Sequence, residues 1–249
     1  MTAEGFGYFA HRETPVQEGL RYAYRLADGS EIPDPASRWQ PEGVHRPSAV
    51  FFPENYAWSD AGWRGVSRED LVIYELHVGA FTPEGTFDAA AARLPELASL
   101  GITAVELMPV SQFPGDRDWG YDGVYLYAAQ NSYGGPRALQ RLIDAAHRVG
   151  LAVLLDVVYN HFGPEGNYLA RFGPYFTDRY RTPWGKAVNF DGPDCDAVRQ
   201  FVVDSARMWV RDFHADGLRL DAVHAIYDLG AWHILAEIQA AVQEEAAHG

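Results

Sequence analysis

The residues best suited to chemistry are Arg219 and Asp221, which stand two positions apart in the segment Gly-Leu-Arg-Leu-Asp-Ala at 217–222. On a β-strand, side chains two positions apart project from the same face, so the guanidinium and the carboxylate lie side by side. The guanidinium favours the ionised carboxylate and aims it, as a carboxylate nucleophile requires. The structural alternative is an ordinary Arg–Asp ion pair, which is what an arbitrary pair at this spacing more often is.

A second polar segment lies one strand–helix unit upstream, in the run Asp-Val-Val-Tyr-Asn-His from Asp156 to His161. Its spacing from Asp221 favours a chemical meaning for the Arg–Asp pair. Further polar and aromatic residues follow the predicted strands, and the candidates are Arg219, Asp221, Asp156, Asn160, His161, His224, Tyr121, Asp122 and His77. Aromatic planes, imidazoles and paired carboxylates together suit a neutral polyhydroxylated ligand.

Alternating strands and helices must position these residues. Strands are predicted at 71–78, 102–108, 151–158 and 217–221, and helices at 86–100, 136–149, 197–213 and 232–245. This order favours a (β/α)8 barrel or a doubly wound sheet, both of which carry their chemistry at the carboxyl ends of the strands. Segment 77–81, after the first strand, has one glycine in place of a glycine-rich phosphate-binding pattern, which favours the barrel.

The first sixty residues differ in character. Residues 6–52 predict strands and turns, with a hairpin at Asp28-Gly29, and the prolines of segment 33–41 exclude a helix. We therefore predict an α/β fold in which residues 1–60 are the C-terminal part of an accessory β-sandwich domain plus a linker. Residues 61–249 would be the first four βα units of a (β/α)8 TIM barrel. A complete barrel needs about eight units and about 250 residues, so we expect a chain truncated at both ends.

Composition excludes several classes of partner. The formal net charge of −14 argues against a nucleic acid and against an anionic membrane surface. Cys195 is the only cysteine, and the start of the chain lacks an apolar leader, so we expect no intrachain disulfide and a cytoplasmic location. The sequence has no His-Glu-x-x-His, Cys-x-x-Cys or Gly-x-Ser-x-Gly motif. We expect neither a metal nor another cofactor, and no feature identifies a protein partner.

Two segments, 156–161 and 217–224, resemble the first two signature regions of the α-amylase superfamily of glycoside hydrolases. Three others, 34–45, 74–86 and 119–123, resemble its subgroup of trehalohydrolases, and the resemblance spans nearly the whole chain. It implies a retaining hydrolase that cleaves the α-1,4-glucosidic bond next to the terminal trehalose of maltooligosyltrehalose and releases trehalose.

The resemblance implies catalytic roles for three residues. Asp221 would be the nucleophile that attacks the anomeric carbon, Arg219 would keep it ionised and oriented, and Asp156 would brace both from behind. A retaining mechanism also needs a second carboxyl group, roughly 5 Å away, as general acid. The resemblance puts that group on a fifth strand beyond the chain, so we expect the 249 residues alone to be inactive.

The resemblance also implies contacts with the sugar. Tyr121 would stack beneath the ring at the cleaved bond, His161 would hydrogen-bond to it, and Asp122 and His224 would contact the substrate nearby. The position of Asn160 binds calcium in many α-amylases, but the trehalohydrolase subgroup does not generally depend on that ion.

Other titratable residues are expected to have no catalytic role. Glu106 would line the barrel interior, and Glu237 falls at helical spacing before any fifth strand. His77 is predicted to be structural, and His147 and His233 are predicted at surface positions of helices.

Two rival functions remain open. A glycogen branching enzyme would share the layout and the nucleophile, and α-1,6 branch points instead of free trehalose would identify it. A non-catalytic glycan-binding protein on a decayed barrel is the rival of another class. The intact Arg219 and Asp221 argue against it.

Overall fold

The computed structural model describes residues 1–5 and 7–247. Phe6, His248 and Gly249, which fall within the two predicted domain ranges, lie outside the described residues. Short strands come first, and alternating strands and helices follow. None of the described helices combines the length and the apolar character needed to cross a membrane.

The first part of the chain forms short antiparallel pairs of strands. They are β1 (Thr2–Gly5), β2 (Tyr8–Ala10), β3 (Arg21–Tyr22), β4 (Tyr24–Arg25), β5 (Glu31–Ile32) and β6 (Ser48–Ala49). β1 pairs with β2, β3 with β6, and β4 with β5. The hairpin predicted at Asp28-Gly29 is present, and Leu26 N donates to the main-chain oxygen of Ser30 at 2.9 Å. The alternating run before it forms two strands because β3 and β4 pair with different partners.

The rest of the chain alternates strands and helices. The strands are β7 (Ile73–Leu76), β8 (Ala104–Leu107), β9 (Ser111–Gln112), β10 (Tyr125–Ala129), β11 (Ala152–Val157), β12 (Phe176–Thr182), β13 (Gly185–Val188) and β14 (Gly217–Leu220). The helices are α1 (Val78–Phe81), α2 (Phe87–Ser99), α3 (Gly135–Arg148), α4 (Asp196–Arg211) and α5 (Ile234–Ala246). Every strand and helix predicted after residue 70 is present. The sequence missed α1, β9, β10, β12 and β13, which lie almost entirely between the predicted strands and helices.

One parallel sheet carries the predicted strand ends. Its strands run β7, β8, β11, β14, in chain order. The register sets Asp156 of β11 opposite Arg219 of β14, and Glu106 of β8 opposite Glu75 of β7. Since all four strands are parallel, their carboxyl ends share one edge of the sheet.

Local signals in the sequence account for the ends of the helices. Thr86 caps α2 by accepting a hydrogen bond from Ala89 N at 3.2 Å. Gly101, with φ of 88°, follows α2 in a left-handed conformation that glycine adopts without strain. Pro136 lies in the first turn of α3, where its missing N–H leaves no helical hydrogen bond unmade.

An apolar core joins the sheet to the helices, and its members include Phe87, Leu94, Leu139, Leu142, Val153, Leu155, Val202 and Trp209. β8 and β11 are largely buried. The edge strand β7 is not, because Ile73 is 46% and Tyr74 38% exposed. Leu218 and Leu220 of β14 are only half-buried. The largely apolar runs 71–78 and 217–221 suggest buried strands. That expectation is wrong at both edges of the sheet, where each strand has a described neighbour on one side only.

The expectation of a surface position is also wrong for His147. Its side chain is buried, with Nδ1 2.8 Å from Asp60 Oδ2 and Nε2 3.0 Å from Asp216 Oδ2. Trp63 stacks on the ring at 4.8 Å. The segment around Asp60 folds back over the end of α3, a contact that helical periodicity does not reveal. Burial opposes the charged ring, but the hydrogen bonds to Asp216 and Asp60 outweigh burial and raise the pKa of His147.

We expect the His147→Gln variant of the full-length protein to show a pH-dependent loss of stability. Because the pKa of His147 is raised by folding, its contribution is complete below the unfolded value of about 6.5 and is lost as pH rises through the folded value. The loss in the free energy of unfolding should be about 3 kcal/mol at low pH and smaller at high pH. Urea unfolding at acidic and alkaline pH measures it, with a change at the exposed His11, His11→Gln, as control. An equal loss at both pH values would contradict the ion pairs.

Candidate active site

One guanidinium holds two carboxylates at the edge of the sheet. Nη1 of Arg219 donates to both oxygens of Asp156, at 2.9 and 2.8 Å, and to Oδ1 of Asp221 at 2.8 Å. The side chain of Asp156 is fully buried, whereas that of Arg219 is 44% exposed and that of Asp221 16%. The buried carboxylate is therefore an anchor, and Asp221 is the carboxylate that a ligand can reach.

Both oxygens of Asp221 are held. Arg219 donates to Oδ1, and Nδ2 of Asn160 lies 3.2 Å from Oδ2 and 2.8 Å from the main-chain oxygen. The main-chain N–H of Asp221 donates to Val157 at 3.0 Å, which extends the pairing of β14 with β11 by one residue. Ala222 follows with φ of 40°, a left-handed turn that directs the chain away from the sheet. The carboxylate thus stands at the rim in one orientation, as a nucleophile requires.

Tyr121 completes the support of Asp156. Its hydroxyl donates to Asp156 Oδ2 at 3.1 Å. Burial, together with the negative charge of Asp156, raises the pKa of Tyr121 to about 12, so the phenol keeps its proton at neutral pH. Burial also raises the pKa of Asp156, against the opposing effect of Arg219 and Tyr121. Asp156 is held by Arg219 and Tyr121, which agrees with a bracing position.

His161 lies at the same edge but is covered. The residue is 4% exposed, Nδ1 lies 2.5 Å from Asn160 Oδ1, and the ring stacks on Trp184 with centroids 4.9 Å apart. Burial lowers the pKa of His161, which outweighs the charges of Asp221 and Asp122 and keeps the ring neutral. Sequence reasoning missed Trp184. It lies in the turn between β12 and β13, where a tryptophan gives no signal of which distant ring it meets.

The loop that carries Tyr121 is tightly built. A Cβ at Gly120, where φ is 99°, would lie 2.1 Å from the main-chain oxygen of Pro109, so only glycine fits there. Asp122 is exposed at the end of this loop. Burial and the nearby charge of Asp118 raise the pKa of Asp122. Its carboxylate is accessible to a ligand.

His224 is not brought into this group. It lies exposed in the short 3₁₀ turn Val223–Ala225 and makes no hydrogen bond or ring contact with any other described residue. The described residues also contain no group of three or more His, Cys, Asp or Glu residues arranged to hold a metal ion. Of the predicted site residues, the structure therefore gathers Arg219, Asp221, Asp156, Tyr121 and His161, with Asp122 at the margin.

Two other carboxylates, Glu106 and Glu237, each have their own neighbours. Glu106 lies beside Glu75 within the sheet, and burial, followed by the charges of Asp156 and Glu75, raises the pKa of Glu106. Glu237 lies on α5 and pairs with Arg199 at 2.7 Å. Arg199 also binds the buried Asp228. The position of Glu237 on a helix agrees with the sequence prediction.

Comparison with known proteins identifies the class. Residues 50–182, more than half of the chain, match the family described as the alpha-amylase catalytic domain. The chain belongs to this family. It is 56% identical over 238 residues to the malto-oligosyltrehalose trehalohydrolase of Saccharolobus solfataricus. The aligned region covers 96% of this chain and 42% of that relative. The chain thus spans about 40% of the length of the curated relatives that it matches.

Two further comparisons show how the similarity varies, one with a solved structure and one with a more distant sequence. A crystal structure from Salmonella typhimurium, provisionally assigned as an alpha-amylase, superposes with a TM-score of 0.89 at 49% identity and covers 92% of this chain and 39% of that one. The 1,4-alpha-glucan branching enzyme GlgB of Pseudoalteromonas atlantica is 32% identical and covers 90% of this chain and 34% of its own length. The branching enzyme is the more distant of these relatives.

Proposed function

We propose that the full-length protein is a retaining glycoside hydrolase that cleaves the α-1,4-glucosidic bond next to the terminal trehalose of maltooligosyltrehalose. The proposed substrate rests on the 56% identity, over nearly the whole chain, to a relative named for this activity. The chemistry is supported by Asp221, whose two oxygens are held by Arg219 and Asn160 while its side chain stays accessible. A cytoplasmic location stays a prediction from the single cysteine.

The proposed architecture is the first half of a (β/α)8 barrel, in residues 61–249, preceded by the end of an accessory β-sandwich in residues 1–60. The order of the parallel strands supports it. β7, β8, β11 and β14 follow one another without the reversal that marks a doubly wound sheet. In a barrel, the carboxyl ends of these strands would line the catalytic face.

In the proposed mechanism, Asp221 attacks the anomeric carbon and forms a glycosyl ester, which water then hydrolyses with retention of configuration. Arg219 orients the carboxylate through its hydrogen bond to Oδ1. Tyr121 stacks beneath the sugar, and His161 hydrogen-bonds to it once Trp184 moves off its ring. The exposed Asp122 and His224 contact the substrate nearby. Asp156 holds Arg219 from behind.

The general acid lies, in this proposal, outside the described residues. Asp156 is unsuited because both its oxygens accept from Arg219, and a proton there would displace that contact. Glu106 is unsuited because its register partner on β11, Leu154, aligns with Gly217, four residues before Asp221. That offset is about 13 Å along the strands, against the roughly 5 Å between the two carboxyl groups of a retaining enzyme.

Branching activity is the second candidate, because the chain also resembles a branching enzyme at 32% identity. Analysis of the products of the full-length protein separates the two. Free trehalose from maltooligosyltrehalose supports the hydrolase, and α-1,6 branch points formed from amylose would replace it with the branching enzyme. A full-length protein that binds α-glucans without cleaving them would overturn both.

A further inference from the structure

His77 lies between the sheet and the loop that carries Tyr121. It follows β7 directly, and its Nε2 is 2.6 Å from the main-chain oxygen of Asp118. Because a carbonyl oxygen only accepts, Nε2 carries the proton and donates it. Nδ1 is then an acceptor, and it is buried with no partner among the described residues.

The imidazole has little freedom to move. A Cβ at Gly79 would lie 3.0 Å from both His77 Cε1 and Tyr133 Cε1, so the three residues are in close contact. The Tyr133 hydroxyl is 3.2 Å from the same Nε2 that meets Asp118. Tyr133 itself is 2% exposed, in contact with Phe87 and Phe113 of the core. Contact with the core therefore fixes the position of the His77 Nε2–H that donates to Asp118.

Asp118 transmits this restraint to Tyr121. Its carboxylate accepts from Gly120 N at 2.5 Å and lies 3.5 Å from Asp122 N, so it closes the loop around Tyr121. No other described residue donates to the Asp118 carbonyl. The far side of the loop is attached through the Tyr121 hydroxyl to Asp156, which holds Arg219. A continuous set of contacts thus runs from His77 to the cation that orients Asp221.

We propose that His77 is a positioning residue for the reaction, because its Nε2–H holds the 118–123 loop so that Tyr121 stays on Asp156. This proposal rests on the proposed function. It goes beyond the structural role that the sequence predicts for His77, since a structural residue affects stability without changing the rate of folded enzyme. The unpartnered Nδ1 supports a role in the rate. A buried acceptor without a donor costs stability, which is not expected of a residue that serves stability alone.

Kinetics of the full-length protein, well below its melting temperature, test the proposal. We expect His77→Ala to lower kcat for trehalose release by about 10- to 100-fold with little change in KM, since a small displacement of a supporting group is costly. His77→Gln retains an N–H at the corresponding distance and should recover most of the loss. Tyr133→Phe is the matched control, because it removes a hydroxyl from the same ring nitrogen but leaves the donor to Asp118. It should change Tm more than kcat.

A double-mutant cycle identifies the route of the effect. If His77 acts through Tyr121, then His77→Ala should cost little in a Tyr121→Phe background. Independent effects that multiply in the double variant would overturn the proposal. So would a His77→Ala variant that loses Tm but keeps its kcat.

An observation independent of activity separates this proposal from the proposed function. Trp119 is 74% exposed in the same loop, and 5-fluorotryptophan labelling gives it a fluorine resonance that the Trp119→Phe variant assigns. We expect His77→Ala to shift or broaden that resonance and His77→Gln to leave it in place. An unchanged resonance in His77→Ala overturns the positioning role, whatever the substrate. A shifted resonance in a protein that releases no trehalose overturns only the proposed function.

Discussion

The Asp221→Asn variant of the full-length protein is expected to release trehalose at least about 10⁴-fold more slowly than the unchanged enzyme. The amide cannot form the glycosyl ester, so the two-step route closes. Its shape is nearly that of the carboxylate, so it can still meet Asn160, and the fold should persist. Initial rates with maltooligosyltrehalose, followed by trehalose release, measure the effect.

A matched control and a rescue make this result specific. Asp178→Asn changes an exposed aspartate that pairs with Lys186 on the β12–β13 hairpin, and it should keep full activity. Azide added to Asp221→Gly should restore bond cleavage, because it fits the vacated space and attacks from the same face. The product would be a glycosyl azide of configuration opposite to that of the substrate. Activity of Asp221→Asn within tenfold of the unchanged enzyme would rule out Asp221 as nucleophile.

A covalent trap gives an independent measurement. A fluorinated glycosyl donor slows hydrolysis of the ester, so the intermediate accumulates on the enzyme. Peptide mass mapping should find the adduct on the peptide that contains Asp221. An adduct on another carboxylate would assign the nucleophile elsewhere.

The Arg219→Leu variant is expected to lose both activity and stability. Its guanidinium is shared by Asp156 and Asp221, so both carboxylates lose their cation at once. We expect a decrease in kcat of about 10²- to 10⁴-fold, because the nucleophile loses its electrostatic support and its orientation. The buried Asp156 is left unpaired, which costs about 3–5 kcal/mol at neutral pH. Arg219→Lys should have an activity and a stability between those of Arg219→Leu and the unchanged protein, because a single ammonium group cannot match a guanidinium that bridges two carboxylates.

The pH dependence of this variant has a definite sign. Burial already raises the pKa of Asp156 with Arg219 present, and removal of the cation should raise it further. A carboxyl group whose folded pKa is raised contributes stability at low pH and loses it as pH rises through that value. The difference in Tm between Arg219→Leu and the unchanged protein should therefore grow from acidic to neutral pH.

The control for Arg219 is Arg93→Leu, which removes an exposed ion pair with Glu96 on α2 and should change Tm very little. Arg93 lies on a helix rather than at the strand ends, so activity should also persist. A Tm difference for Arg219→Leu that stays constant with pH would contradict the role of Arg219 as partner of the buried Asp156.

The candidate site was predictable where it depends on short-range pattern. The period of two on a strand puts Arg219 and Asp221 on one face, and parallel strands bring Asp156 to the same edge. The substrate contact of His224 comes from the family resemblance and stays a prediction, because the turn at Ala222 leaves His224 exposed without a contact that would show its role.

The sequence by itself determined the alternation of strands and helices, the caps at Thr86 and Gly101, and the pairing of Arg219 with Asp221. These features depend on residues within a turn or a few strand positions of one another. Only the tertiary structure decided that Trp184 covers His161, that Asp60 and Asp216 bury His147, and that His77 holds the loop of Tyr121. Each of these contacts joins residues far apart along the chain, and the paths of the intervening loops determine which side chains meet.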